Sequence, residues 1–103
     1  MSKRPPRRER RAQEREVTKL VRERERLAAL LPGGAPSRPV PLSTASLVEV
    51  TAKKTPCPLC GGELRVDEHA AESHGGDMLR VVRVHCHPCG AKRSLYFRIA
   101  LMQ

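Results

Sequence analysis

Between Glu9 and Leu31 the chain runs without glycine or proline, in Arg, Glu, Ala, Leu and Gln, and its apolar side chains recur at helical spacing: Val17, Leu20, Val21, Leu27, Ala28 and Leu31. That composition and period predict an α-helix over 9–31 with an apolar stripe on one face. Arg24 interrupts the stripe at its centre, leaving about two turns on each side, too short a seam for a coiled coil. Charge pairs such as Glu16–Lys19 and Glu23–Arg26 add roughly 0.2–0.5 kcal/mol each to an exposed helix. Pro32-Gly33-Gly34 stops it, and Pro36, Pro39 and Pro41 predict a semi-stiff tether over 32–44. On this reading the helix and the segment after the tether are not one rigid body.

From residue 45 the period changes to two. Ser46–Thr51 reads as a strand, Glu63–Asp67 as a second with Leu64 and Val66 on one face, and Met78–His85 as a third. Ser94–Ile99 is a fourth, with Leu95, Phe97 and Ile99 on one side and Tyr96 and Arg98 on the other. The polar stretch Glu68–Asp77, which contains Gly75-Gly76, is expected to be the hairpin tip. At the other end, residues 1–8 hold two adjacent prolines and four basic side chains with nothing to bury, and are expected to be a disordered basic tail. The organisation is therefore tail 1–8, charged helix 9–31, linker 32–44 and a β module over 45–103.

Chemistry enters with the cysteines. The chain has four, in two short runs, Cys57-Pro58-Leu59-Cys60-Gly61 and Cys86-His87-Pro88-Cys89-Gly90, with 25 residues between the pairs. A two-residue gap lets both thiolates of a pair face one ion, and the following glycine lets the backbone turn back toward the sulfurs. Four thiolates close a tetrahedron and leave no position for water or substrate, so the expected ion is one structural Zn²⁺ held by Cys57, Cys60, Cys86 and Cys89. Disulfides are the competing use. Met1–Arg11 lacks the apolar core of a secretory signal, and no run approaches membrane-spanning length. The chain thus reads as cytoplasmic, where thiols stay reduced and metal is favoured. Tyr96 and Phe97 are its sole aromatic residues, so the core is thin. A zinc site, with an apparent binding free energy of about 10–16 kcal/mol, makes good that deficit.

With its doubled Cys-x-x-Cys-Gly motif and strand-like flanks, the stretch 46–100 resembles the zinc-ribbon superfamily. The resemblance implies a small β zinc ribbon of three to four antiparallel strands whose two knuckles share one zinc, here preceded by a basic N-terminal helix. It does not imply one function: zinc ribbons serve in transcription factors, polymerase subunits, ribosomal proteins, primase-like enzymes and protein adaptors. The ribbon of eukaryotic transcript-cleavage elongation factors carries an acidic Asp-Glu pair at its hairpin tip. Asp67-Glu68 is a similar pair, but it follows the first knuckle closely and is expected to end a strand as two solvated carboxylates.

Charge narrows the choice of partner. The net charge is +9, and residues 1–31 alone hold eleven Arg or Lys against five Glu. Lys3, Arg4, Arg7, Arg8, Arg10 and Arg11 form a cationic arm suited to phosphates, with Lys53, Lys54, Lys92 and Arg93 as further candidate nucleic-acid contacts and Tyr96 as a possible stacking surface. The expected partner is DNA, RNA or a nucleoprotein complex of transcription or translation. The alternative is a protein adaptor that docks through its ribbon and helix 17–31. A membrane partner is not expected, because the helix has no Trp or Phe on its apolar face. Neither a small-molecule substrate nor catalysis is expected, since Ser43, Ser46, Ser73 and Ser94 stand in no catalytic motif and no phosphate-cradling loop occurs. His69, His74, His85 and His87 lie near the knuckles or in the expected tip, but the cysteines already fill the coordination sphere.

Overall fold

The structure is a computed structural model that describes residues 6–100. In chain order it contains α1 (Arg7–Leu30), β1 (Val40–Leu42), α2 (Ser46–Lys54), β2 (Leu64–His74), β3 (Asp77–Cys86) and β4 (Lys92–Ile99). Most of the expected tail lies outside the described residues, and its last two, Arg7 and Arg8, belong to α1. Helix and mixed four-stranded sheet, with a cluster of four cysteines at one end, make a small zinc ribbon preceded by a basic helix.

The sheet runs in the order β1-β4-β3-β2. β2 and β3 form a long antiparallel hairpin, β3 and β4 pair antiparallel, and β1 lies parallel to β4 with Val40 opposite Phe97. The all-antiparallel expectation is thereby corrected at one edge. A three-residue strand containing Pro41 pairs on one side and caps the sheet against further growth. The linker 32–44 accordingly contains a strand. It is also anchored ahead of that strand, where the Gly33 amide donates to Arg38 O at 2.6 Å and the Tyr96 amide donates to Gly33 O at 2.9 Å.

Alternation along β3 and β4 sets the two faces of the sheet. On one face Val82, Val84 and Cys86 meet Leu64, Leu95 and Phe97 to form the core. α2 closes this core by laying Val48 and Ala52, four residues apart and both 0% exposed, against it. The strand expected over Ser46–Thr51 is thus a helix. Its β-branched residues suit a strand only if a sheet edge is there to take them, and here a helical pair on the core face wins while Leu47 and Val50 stay exposed.

The other face carries Leu79 and Val81, both buried, together with a polar network. Arg83 Nη1 donates to Glu72 Oε2 at 2.8 Å and stands 3.8 Å from Glu68 Oε2, while the His74 and Tyr96 rings meet edge to face at 5.6 Å. These pairings are why Glu68–His74 continues β2 and does not form the expected tip. The turn itself is only Gly75-Gly76, both at positive φ, as a two-residue hairpin loop requires. Polar composition misled because this half of the hairpin shows solvent one alternating row of side chains.

Candidate metal centre

Each knuckle is built by the same local hydrogen bonds. Gly61 N–H donates to Cys57 O at 2.7 Å and Gly90 N–H to Cys86 O at 2.8 Å, closing two matching turns. Both glycines sit at positive φ, 75° and 74°, where a side chain would be strained. Cys57 N–H then bonds Gly62 O at 2.9 Å and Cys86 N–H bonds Ala91 O at 2.8 Å, so both chains leave in strand-like directions. A bond from His87 N–H to Glu63 O, 3.1 Å long, ties the second knuckle to the exit of the first.

The result brings all four sulfurs within 4.8 Å of one another. Cys57 Sγ lies 3.8 Å from Cys89 Sγ and Cys60 Sγ lies 3.3 Å from Cys86 Sγ, and none of the four is in a disulfide. A tetrahedral ion with metal–sulfur bonds of about 2.3 Å needs sulfurs about 3.8 Å apart, a distance that falls within the spread of this quartet. These four cysteines could hold a metal ion. Gly62 N–H points at Cys60 Sγ from 3.4 Å, a donor of the kind that stabilises a bound thiolate.

Before an ion binds, the thiols do not ionise alike. Burial opposes a charge on Cys57, but hydrogen bonds from the Leu59 and Cys60 backbone and from the Cys86 and Cys89 thiols outweigh it and lower its pKa to about 7. At Cys86 a backbone hydrogen bond from Cys89 favours the thiolate, yet burial and the three neighbouring sulfurs win and push its pKa up to about 12. Crowded thiols thus share protons unequally, with Cys57 the first of these two to release one.

The helix reaches this centre. Arg24, the residue that breaks the stripe of α1, donates from Nη1 to Leu59 O inside the first knuckle at 2.7 Å. One turn later Ala28 is buried, and its carbonyl faces Gly34 so closely that a Cβ at Gly34 would collide with it. The end of α1 is therefore seated beside the cysteines, where a semi-stiff tether was expected to leave helix and module as separate bodies.

The other candidate residues are dispersed. Lys3 and Arg4 lie outside the described residues. Arg7, Arg8, Arg10 and Arg11 are exposed on the first turns of α1, and Lys53 and Lys54 end α2 in solvent. Lys92 is exposed at the start of β4, whereas Arg93 is half-buried between the sheet and α1. His69 and His74 belong to β2, with His74 beside Glu72 at 3.5 Å, and His87 is exposed. Asp67 occupies a β-bulge and its Oδ1 bonds His85 Nδ1 at 2.7 Å, far in sequence from the tip where an acidic pair would project. The placement of Arg24, Gly34 and Arg93 beside the cysteines was missed. A signal existed for the last, because Arg93 has the same parity as Leu95 and Phe97.

Among the described residues, no helix is long and apolar enough to cross a membrane. No curated protein and no solved structure matches the chain. Residues 55–92, which hold both knuckles and the hairpin between them, match the profile of a family of unknown function (DUF8054), in its C-terminal domain, over less than half of the chain.

Proposed function

We propose that this is a non-enzymatic protein in which Cys57, Cys60, Cys86 and Cys89 hold one structural Zn²⁺, and in which the basic start of α1 carries it to nucleic acid or a nucleoprotein complex. The single observation behind the zinc reading is the four-sulfur cage, whose spacing suits a tetrahedral ion and whose closure leaves no coordination site for a reactant.

Support for the partner comes from where the arginines stand. Arg7, Arg8, Arg10 and Arg11 crowd the N-terminal turns of α1, which has no side-chain cap among the described residues and Glu9 as the one acidic residue of its first turn. The positive end of the helix dipole is there, so these cations repel both it and one another. A phosphate backbone placed against them relieves both repulsions and satisfies free helix amides. With about four phosphate contacts, affinity for a duplex should fall roughly 100-fold between about 50 mM and about 200 mM salt, and removal of residues 1–16 should abolish most of the binding. Binding that is indifferent to salt and to the truncation overturns this partner.

A second reading has its own observation. Val17, Leu20 and Leu27 of α1 are 60%, 54% and 63% exposed, a row of large apolar side chains that a protein partner would cover. In that reading the chain is an adaptor docking through helix 17–31 and the ribbon, and Leu20→Glu, not the truncation, removes its partner.

A further inference from the structure

We propose that Arg93 is a positioning residue of the metal centre: its guanidinium offsets the surplus charge of the four-thiolate cage and links that cage to Glu25 of α1. The inference rests on the zinc reading, and it takes Arg93 out of the set of phosphate contacts.

Three observations carry it. First, Arg93 pairs with Val84 across the sheet and alternates with Leu95 and Phe97, so it occupies an inward-facing position where an apolar residue belongs. Second, its Nε is buried and has no hydrogen-bond partner among the described residues, a costly state for a charged donor unless an anion is nearby. Third, Arg93 lines a cleft of about 360 Å³ between α1 and the knuckles, together with Glu25, Ala28, Gly34, Cys57 and Leu59. Burial lowers the pKa of Arg93, while the charges of Cys57 and Glu25, which line the same cleft, pull it back.

The chemistry follows from charge balance. Four thiolates around one divalent ion leave two surplus negative charges at the edge of a thin apolar core, where solvation is poor. A guanidinium remains charged at every relevant pH, and its fixed planar donors can serve a sulfur on one side and a carboxylate on the other. Arg24, bonded to Leu59 O, holds α1 in place so that Glu25 faces the same cleft. Metal loading and the seating of α1 are thereby coupled through one side chain.

The test uses the full chain loaded with zinc, and with Co²⁺ as a spectroscopic probe. Arg93→Gln should lower zinc affinity roughly 10- to 100-fold in chelator competition, the usual scale for an outer-shell partner, and should shift the thiolate-to-Co²⁺ charge-transfer bands. Arg93→Lys should recover part of that loss, and Lys92→Gln, next in sequence but exposed, should change neither readout. Should Arg93→Gln fail to fold, Glu25→Gln replaces it and should weaken zinc retention to a smaller degree. Wild-type zinc affinity and unchanged Co²⁺ bands in Arg93→Gln or, where that variant does not fold, in Glu25→Gln overturn the proposal, as does equal loss in Lys92→Gln. Failure of the wild-type chain to take up stoichiometric zinc or Co²⁺ instead overturns the zinc reading beneath it.

Discussion

The ribbon and α1 solve the problem of order by opposite means. From β1 to β4 nearly every buried side chain meets partners far away in sequence, around a cluster of four cysteines drawn from two knuckles. α1 is 24 residues long and buries only Ala28. Its order comes from helix-forming residues and local hydrogen bonds such as Thr18 Oγ1 to Glu14 O at 2.9 Å. A non-local closure fails all at once, whereas a local helix frays by degrees. The two regions should therefore answer the same perturbation differently, and the comparison can be broken by showing that they do not.

The largest effect belongs to the metal. Cys57→Ser, or chelation of the wild-type chain, should remove most of a folding contribution of about 10–16 kcal/mol, as much as or more than the whole stability of an ordinary small domain. Sheet amides of β2, β3 and β4 should lose their dispersion in nuclear magnetic resonance spectra while helical amides in the first half of α1 persist. Dispersed β signals surviving without metal would show that the apolar core suffices alone.

Acid provides a graded version of the same experiment. Each thiol must give up its proton to the ion, so lowering the pH favours the metal-free side and zinc affinity falls. Cys57, with its pKa near 7, is largely ionised above that value and adds little proton competition there. Below about 7 it too must be deprotonated by the ion, so the loss of affinity per pH unit should steepen. Cys86, pushed up to about 12, competes throughout this range. Zinc affinity measured by competition from about pH 8 to about pH 6 checks the sign and the steepening.

How much of this was legible in the sequence depended on whether the signal was local. The knuckles, α1 and strands β3 and β4 were readable because Cys-x-x-Cys-Gly spacing and period-two alternation are properties of a few adjacent residues. The helix at Ser46–Lys54 was not, since Val48 and Ala52 declare themselves only against a sheet face supplied by residues 64–97. Extension of β2 through Glu68–His74 was hidden likewise: Glu68 and Glu72 read as loop until Arg83 is placed opposite them. Within the site the clustered cysteines were evident, but the seating of α1 through Arg24 and Ala28 depends on a 35-residue separation from Leu59 that no local pattern encodes.

A smaller effect tests the seam between the two regions. Gly34→Ala places a Cβ against the Ala28 carbonyl, backbone that cannot rotate away, so the end of α1 must shift. Crowding of this kind costs about 1–3 kcal/mol. Hydrogen exchange should quicken at Ala28–Leu31 while the amides of the β2–β3 hairpin keep their protection. Equal acceleration in both would mean that α1 and the ribbon unfold together, and the contrast drawn between them would fail.

The smallest effect should come from the stripe. Leu20 is 54% exposed, so Leu20→Gln removes little buried surface and should change stability by no more than about 0.5 kcal/mol. For a domain of this size that is a shift of at most about 4 °C in Tm. The value of the variant lies in the sign of a failure. A larger loss of stability would mean that Leu20 is covered in solution, and a Tm that rises with protein concentration in the wild type but not in the variant would name a second copy as the cover. α1 would then owe its order to non-local packing after all, as the ribbon does, and its exposed leucines would be one half of an interface.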